Sequence, residues 1–173
     1  KRGTLLWDYK FENSLPEEVT DYVSRSAPTP IVDESHVYAL FEGGDIVALT
    51  HDGNPVWQRD LAKDYGPFKG NHGQGSSPAL SSQGLVILMD HQGPSAIVTL
   101  DLKTGKTIWK THRDTSTAWA SPVIHHASTG EEIICSASST VTAYDPTEGT
   151  IRWHYETITG NNVPTATVAE GFI

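Results

Sequence analysis

The hydrophobic positions of this chain fall in short runs separated by turns rich in Gly, Asp, Asn and Ser, and the runs recur in groups of four. The first group predicts strands at 29–32, 37–40, 46–49 and 56–59, divided by Asp33-Glu-Ser, Glu42-Gly-Gly-Asp and His51-Asp-Gly-Asn. A second group predicts strands at 79–80, 85–89, 96–100 and 107–110, and a third at 123–125, 133–136, 141–144 and 151–155. Residues 3–10 read as one outer strand, 11–25 as a polar connection, and 165–168 with 172–173 as the opening of a further group. The runs are continuous more than alternating, as expected of sheets packed on both faces. No helical period stands out, so no helix is predicted.

The groups share a motif. Thr99-Leu-Asp-Leu-Lys-Thr-Gly-Lys-Thr-Ile-Trp109 pairs two strands through a polar turn at Gly105, and Ala143-Tyr-Asp-Pro-Thr-Glu-Gly-Thr-Ile-Arg-Trp153 repeats it through Gly149. A third copy, Ala48-Leu-Thr-His-Asp-Gly-Asn-Pro-Val-Trp57, is one residue shorter in the turn around Gly53, and Trp7 has the position of the end of a fourth. A second marker, a small residue and proline before an apolar stub, stands at Ala27-Pro28, Ser77-Pro78, Ser121-Pro122 and, more loosely, Val163-Pro164. From Pro28 to Pro164 the period is about 45 residues, within the range of propeller blades.

The pattern resembles the PQQ-like, tryptophan-docking β-propeller repeat, Ala-x-Asp-x-x-Thr-Gly-x-x-x-Trp, of quinoprotein- and BamB-like proteins. The copy at 99–109 departs from it only at Thr99; the later copy has Glu148 for Thr, and the copy at 48–57 lacks the Asp-to-Gly spacing. The resemblance implies an all-β β-propeller of four-stranded antiparallel blades, with about four blades represented. The expected divisions are an outer strand of a preceding blade at 1–10, blade one at 26–60, blade two at 76–110, blade three at 120–156 and the start of blade four at 163–173. Propellers close with four to eight blades, so the chain is expected to be a segment of a larger, seven- or eight-bladed ring; a four-bladed ring closed by its two partial units is the other solution. In such folds the tryptophan of one blade packs against the next, which makes Trp57, Trp109, Trp153, Gly53, Gly105 and Gly149 docking residues. Each tryptophan is expected to be buried on an outer strand near its own repeat glycine.

Length alone would suggest an ordinary single domain, and the repeats overrule it. Twelve basic residues against 21 acidic ones give a net charge of −9 without a Lys/Arg cluster, which disfavours nucleic acid as a partner. The longest apolar run, 85–89, is too short to span a bilayer. Cys135 is the only cysteine, lies in an apolar strand and reads as a buried, inert thiol.

Candidate chemistry gathers on one rim. In an up-and-down blade, the connection from an outer strand to the next inner strand shares a rim with the loop between strands two and three. The connections 60–76, 111–120 and 157–163 bring Asn71, His72, Gln74, Arg113, Asp114, Trp119, Asn161 and Asn162 to that rim, with Gln74, Trp119 and Asn162 deepest. Glycines around His72 would let backbone approach a ligand, although a plain surface loop is the simpler account. Asp52, Lys103 and Glu148 fall on the opposite turns. Asp101 and Asp145 occupy the repeat's own aspartate position, where a carboxylate caps the turn backbone. His125 and His126 are adjacent on a strand and point to opposite faces, so no metal site is assigned there.

No nucleophile elbow, P-loop or dinucleotide fingerprint is present. The expected function is therefore a non-catalytic binding or protein-interaction scaffold, with no cofactor and with a protein or small polar ligand as partner. The alternative is part of a PQQ-dependent quinoprotein dehydrogenase, which would hold PQQ with calcium; the adjacent cysteine pair common in such alcohol dehydrogenases is ruled out by the single cysteine. The family resemblance implies an extracytoplasmic location.

Overall fold

The computed structural model describes residues 3–12, 26–70, 73–138, 140–156, 163–169 and 172–173. Three four-stranded antiparallel sheets form, each with its strands in chain order. The first contains β1 (Ile31–Val32), β2 (His36–Leu40), β3 (Asp45–Thr50) and β4 (Pro55–Asp60). A short helix, α1 (Leu61–Tyr65), follows it. The second sheet contains β5 (Ala79–Ser81), β6 (Gly84–Met89), β7 (Ala96–Leu100) and β8 (Thr107–His112). The third contains β9 (Val123–Ala127), β10 (Gly130–Ala137), β11 (Thr140–Tyr144) and β12 (Ile151–Glu156). These are consecutive propeller blades, and all twelve strands expected within the three groups form.

The middle blade shows why its apolar runs are continuous. Every residue of β6 and β7 is buried. Leu85, Ile87, Met89, Val98 and Leu100 pack on Tyr38, Leu40 and Ile46 of the first blade. Val86, Leu88 and Ile97 pack on Ile133, Cys135 and Tyr144 of the third. The period of two persists, but both faces are apolar, so it vanishes from the hydrophobicity pattern.

The motif's residue types follow from its register. Its first residue pairs directly with its tryptophan: Ala48 with Trp57, Thr99 with Trp109, Ala143 with Trp153. A small or β-branched residue leaves room for the indole. Asp101 Oδ1 accepts from the Thr104 N–H at 2.8 Å and the Thr104 hydroxyl at 2.6 Å, and Asp145 Oδ1 accepts from Thr147 N–H at 2.8 Å. In the shorter first copy, Thr50 takes this place and its hydroxyl accepts from Asn54 N–H.

Docking runs between blades, which corrects the expectation that each tryptophan lies near its own glycine. The Trp57 indole covers Gly105 and donates to the Leu102 carbonyl at 2.9 Å; Trp109 covers Gly149 and donates to the Pro146 carbonyl at 2.8 Å. Trp7 covers Gly53 and donates to the His51 carbonyl at 2.8 Å. Gly105 and Gly149 have φ of +68° and +69°, and a Cβ on either would lie within 2.7 Å of the indole. Trp109 is 9% exposed, whereas Trp57 and Trp153 are only half-buried.

The proline marker is also re-registered. Thr29 N–H donates to Ser77 Oγ at 2.9 Å, Ser77 N–H to Ser121 Oγ at 2.9 Å, and Ser121 N–H to Thr165 Oγ1 at 3.0 Å. Equivalent positions are therefore Thr29-Pro30, Ser77-Pro78, Ser121-Pro122 and Thr165-Ala166, in place of Ala27-Pro28 and Val163-Pro164. Both outer markers shift by two residues, so the mean period is unchanged. The small residue is needed as a hydroxyl acceptor that links neighbouring inner strands, and β1, β5 and β9 each begin directly after the proline.

Three other expectations are corrected. Residues 3–10 form no strand: they are held against the first blade by Trp7. Helix α1 forms because Asp60 caps the Lys63 N–H at 2.9 Å and Leu61 is buried, a five-residue element too short to show a helical period. Within 163–173, the described residues form no strand, and their β-pairing is the isolated bridge Ala169–Phe172.

Candidate functional site

Among the described residues, the rim predicted from topology includes the β2–β3 loop, the connection from β4 to β5, the β6–β7 loop, the connection from β8 to β9 and, through the contact of the Ser116 and Ser138 hydroxyls at 2.9 Å, the β10–β11 turn. Gln74 N–H donates to the Glu42 carbonyl at 2.9 Å, tying the second segment to the first. Ser76 Oγ donates to the Ala120 carbonyl at 2.7 Å, and the Trp119 indole lies over Gly75, tying it to the fourth. Asn71, His72, Asn161 and Asn162 lie outside the described residues.

The remaining rim candidates differ in exposure. Gln74 is buried and its amide donates to the Leu88 and Ser76 carbonyls. Arg113 is buried too. Its guanidinium grips Asp90 through two bonds of 2.8 and 2.9 Å, at side-chain exposures of 1% and 0%, and donates to the Tyr144 hydroxyl. Trp119 is half-buried at the junction of two connections, and Asp114 is exposed.

Electrostatics agree with that geometry. Burial opposes the Arg113 charge, but Cys135, Asp90 and Tyr144 around it hold its pKa above the usual range. The Cys135 thiol is itself pushed up to about 12 by burial, so it is neutral at ordinary pH and Asp90 carries the pairing. Cys135 is fully buried, as an inert thiol should be. His125 is buried near Glu132 at 3.5 Å while His126 is exposed, so the adjacent pair does point to opposite faces.

The residue pair most involved in rim geometry carries no repeat signature. Asp90 and His91 open the β6–β7 loop. Besides Arg113, Asp90 accepts from the Thr115 hydroxyl at 2.9 Å. His91 Nδ1 accepts from the backbone N–H groups of Lys69 at 3.1 Å and Gly93 at 3.0 Å. The available signal was their place, directly after the longest apolar run and before Gly93-Pro94.

Trp153, Val141, Tyr155, Ala166 and Ile173 line an apolar cleft of about 400 Å³ on the third blade. Tyr155 is 69% exposed there. Among the described residues no three His, Cys, Asp or Glu side chains are grouped to hold a metal ion, and Asp90 is spent on Arg113.

Comparison with known proteins agrees with the repeat. BamB from Moraxella catarrhalis is similar at 17% identity and a TM-score of 0.58, over 75% of this chain and 37% of that one. The quinohemoprotein alcohol dehydrogenase from Comamonas testosteroni is similar at 20% identity and a TM-score of 0.56, over 76% and 21%. A europium-containing methanol dehydrogenase gives 11% identity and a TM-score of 0.56, over 76% and 32%. This chain thus spans well under half the length of each, and at these identities the likeness is one of fold. No curated protein sequence matches the chain. The PQQ-type repeat family described as outer membrane protein assembly factor BamB matches residues 1–170, and the chain belongs to that family.

Proposed function

We propose that this chain is a non-catalytic propeller segment that serves as an extracytoplasmic binding or protein-interaction scaffold and requires no cofactor. One observation carries the proposal: Gln74 and Arg113, the buried polar side chains among the described rim candidates, are engaged in holding neighbouring blades together. Arg113 with Asp90 and Gln74 with the Leu88 carbonyl stiffen the loops, which leaves exposed side chains such as Lys63 and Gln92 to meet a partner. A rigid rim presenting polar loops suits a protein or a small polar ligand. The family's description as an assembly factor supports the same reading. A net charge of −9 disfavours nucleic acid, and no helix among the described residues is long and apolar enough to cross a membrane.

The alternative is a share in a PQQ-dependent dehydrogenase. Two of the similar proteins are dehydrogenases, but they share only the fold with this chain. Photo-crosslinking amino acids placed at Lys63 and Gln92, and separately at Lys103 and Glu148, test the rim in cells. The scaffold account expects protein adducts from the first two positions. Adducts confined to the Lys103 and Glu148 turns would move the interaction to the opposite face and overturn the rim.

A further inference from the structure

Asp90 and His91 are neighbours in sequence and staple two different connections. Asp90 holds the β8–β9 connection through Arg113 and Thr115. His91 holds the β4–β5 connection through Lys69, and the Gln92 N–H returns a second bond to the Lys69 carbonyl at 3.0 Å. Phe68 packs edge-on against the imidazole with centroids 5.0 Å apart.

The protonation state of His91 follows from its partners. Two backbone N–H groups converge on Nδ1, so Nδ1 is an acceptor and the ring is neutral with its proton on Nε2. A proton on Nδ1 would face both donors. His91 is 5% exposed, and its Cε1 lies so near Gly93 that a Cβ there would be 2.5 Å away, so little room exists for the ring to turn away. The charged groups facing it are Lys69 from the β4–β5 connection and Asp90 from its own loop, with Arg113 reaching Asp90 from the β8–β9 connection.

We infer that His91 is an acid-sensitive latch on the rim: its neutral imidazole ties the segment around Lys69 to the β6–β7 loop, and protonation releases that segment. Burial, with Lys69 second among the groups that oppose the charge, holds the His91 pKa below its ordinary value, and the Asp90 charge does not reverse this. The sign follows. A lowered folded value means that the latch is closed above the ordinary histidine pKa of about 6.5 and weakens as pH falls through the folded value. Release would free Phe68 from its seat over Gly44 and reshape the rim. The effect on a partner rests on the rim being a binding face; the latch itself does not.

Amide exchange on the full chain tests the latch without any partner. After correction for intrinsic rates, exchange at Lys69 and Gly93 should rise by up to about tenfold per pH unit between the unfolded and folded pKa values, while β7 amides stay protected. Asn at this position keeps an acceptor near the place of Nδ1 and does not titrate, so His91→Asn should lose the pH dependence. Long-range proton–nitrogen spectra at neutral pH should show Nδ1 unprotonated. A proton on Nδ1 there, protection that does not change with pH, or an unaltered pH dependence in His91→Asn would overturn the proposal. If His91→Asn does not fold, the wild-type exchange and the tautomer decide it.

Discussion

Trp109 gives its indole face to Gly149 and its N–H to Pro146, so one side chain joins two blades. Trp109→Ala should cost about 3–5 kcal/mol and lower the urea midpoint accordingly. Gly149→Ala acts on the same contact from the other side, at φ +69° with a Cβ 2.3 Å from the indole. The double variant should therefore be less destabilised than the sum of the single ones, and strictly additive costs would show that the two residues are independent. Trp153 is only half-buried in its cleft, so Trp153→Ala should cost less than Trp109→Ala in the same measurement. Asp101 makes a different prediction. Hydrogen bonds from the Thr104 side chain and backbone hold its carboxyl below the usual carboxylate range. Its contribution is present above the unfolded pKa and is lost as pH falls through the folded one. Melting temperatures of wild type and Asp101→Asn should differ at neutral pH and converge as pH drops below about 4. A constant gap would contradict the turn-capping role.

Among the elements, the inner strands are joined by hydroxyls. Ser121→Ala removes the acceptor for Ser77 N–H, and a part-buried donor left alone costs about 1–3 kcal/mol. Exchange at the Ser77 amide should quicken, and Ser121→Thr should restore its protection; exchange that is unchanged in Ser121→Ala would mean that the bond contributes nothing. This ladder also explains what the sequence concealed. The twelve strands were legible because turn residues punctuate each apolar run. The proline marker lies two residues from its sequence position at both ends: Ala27-Pro28-Thr29-Pro30 offers two candidates and Thr165-Ala166 carries no proline, so only the hydrogen bonds of Thr29 to Ser77 and of Ser121 to Thr165 choose. Helix α1 was invisible for a related reason: its cap and one buried leucine stabilise five residues through contacts with β3, which no local period records.

For the molecule as a whole, topology showed which loops share a rim but not where their side chains go. Gln74 and Arg113 turn inward because the neighbouring blade supplies the Leu88 carbonyl and, for Arg113, the Tyr144 hydroxyl beside its Asp90 partner. Such partners lie 14 to 31 residues away, at separations set by blade packing and not by any motif. Arg113→Ala would leave Asp90 charged and buried, so it should cost about 3–5 kcal/mol in denaturant unfolding; a change near zero would show that the pair is dispensable. These residues hold blades together, and the scaffold function proposed above expects no cofactor chemistry from the chain. The most direct test is an absorbance titration of the full chain with PQQ in the presence of calcium, followed by dye reduction with alcohols and sugars. The account predicts no saturable binding and no reduction; stoichiometric PQQ binding with substrate-dependent dye reduction would contradict it.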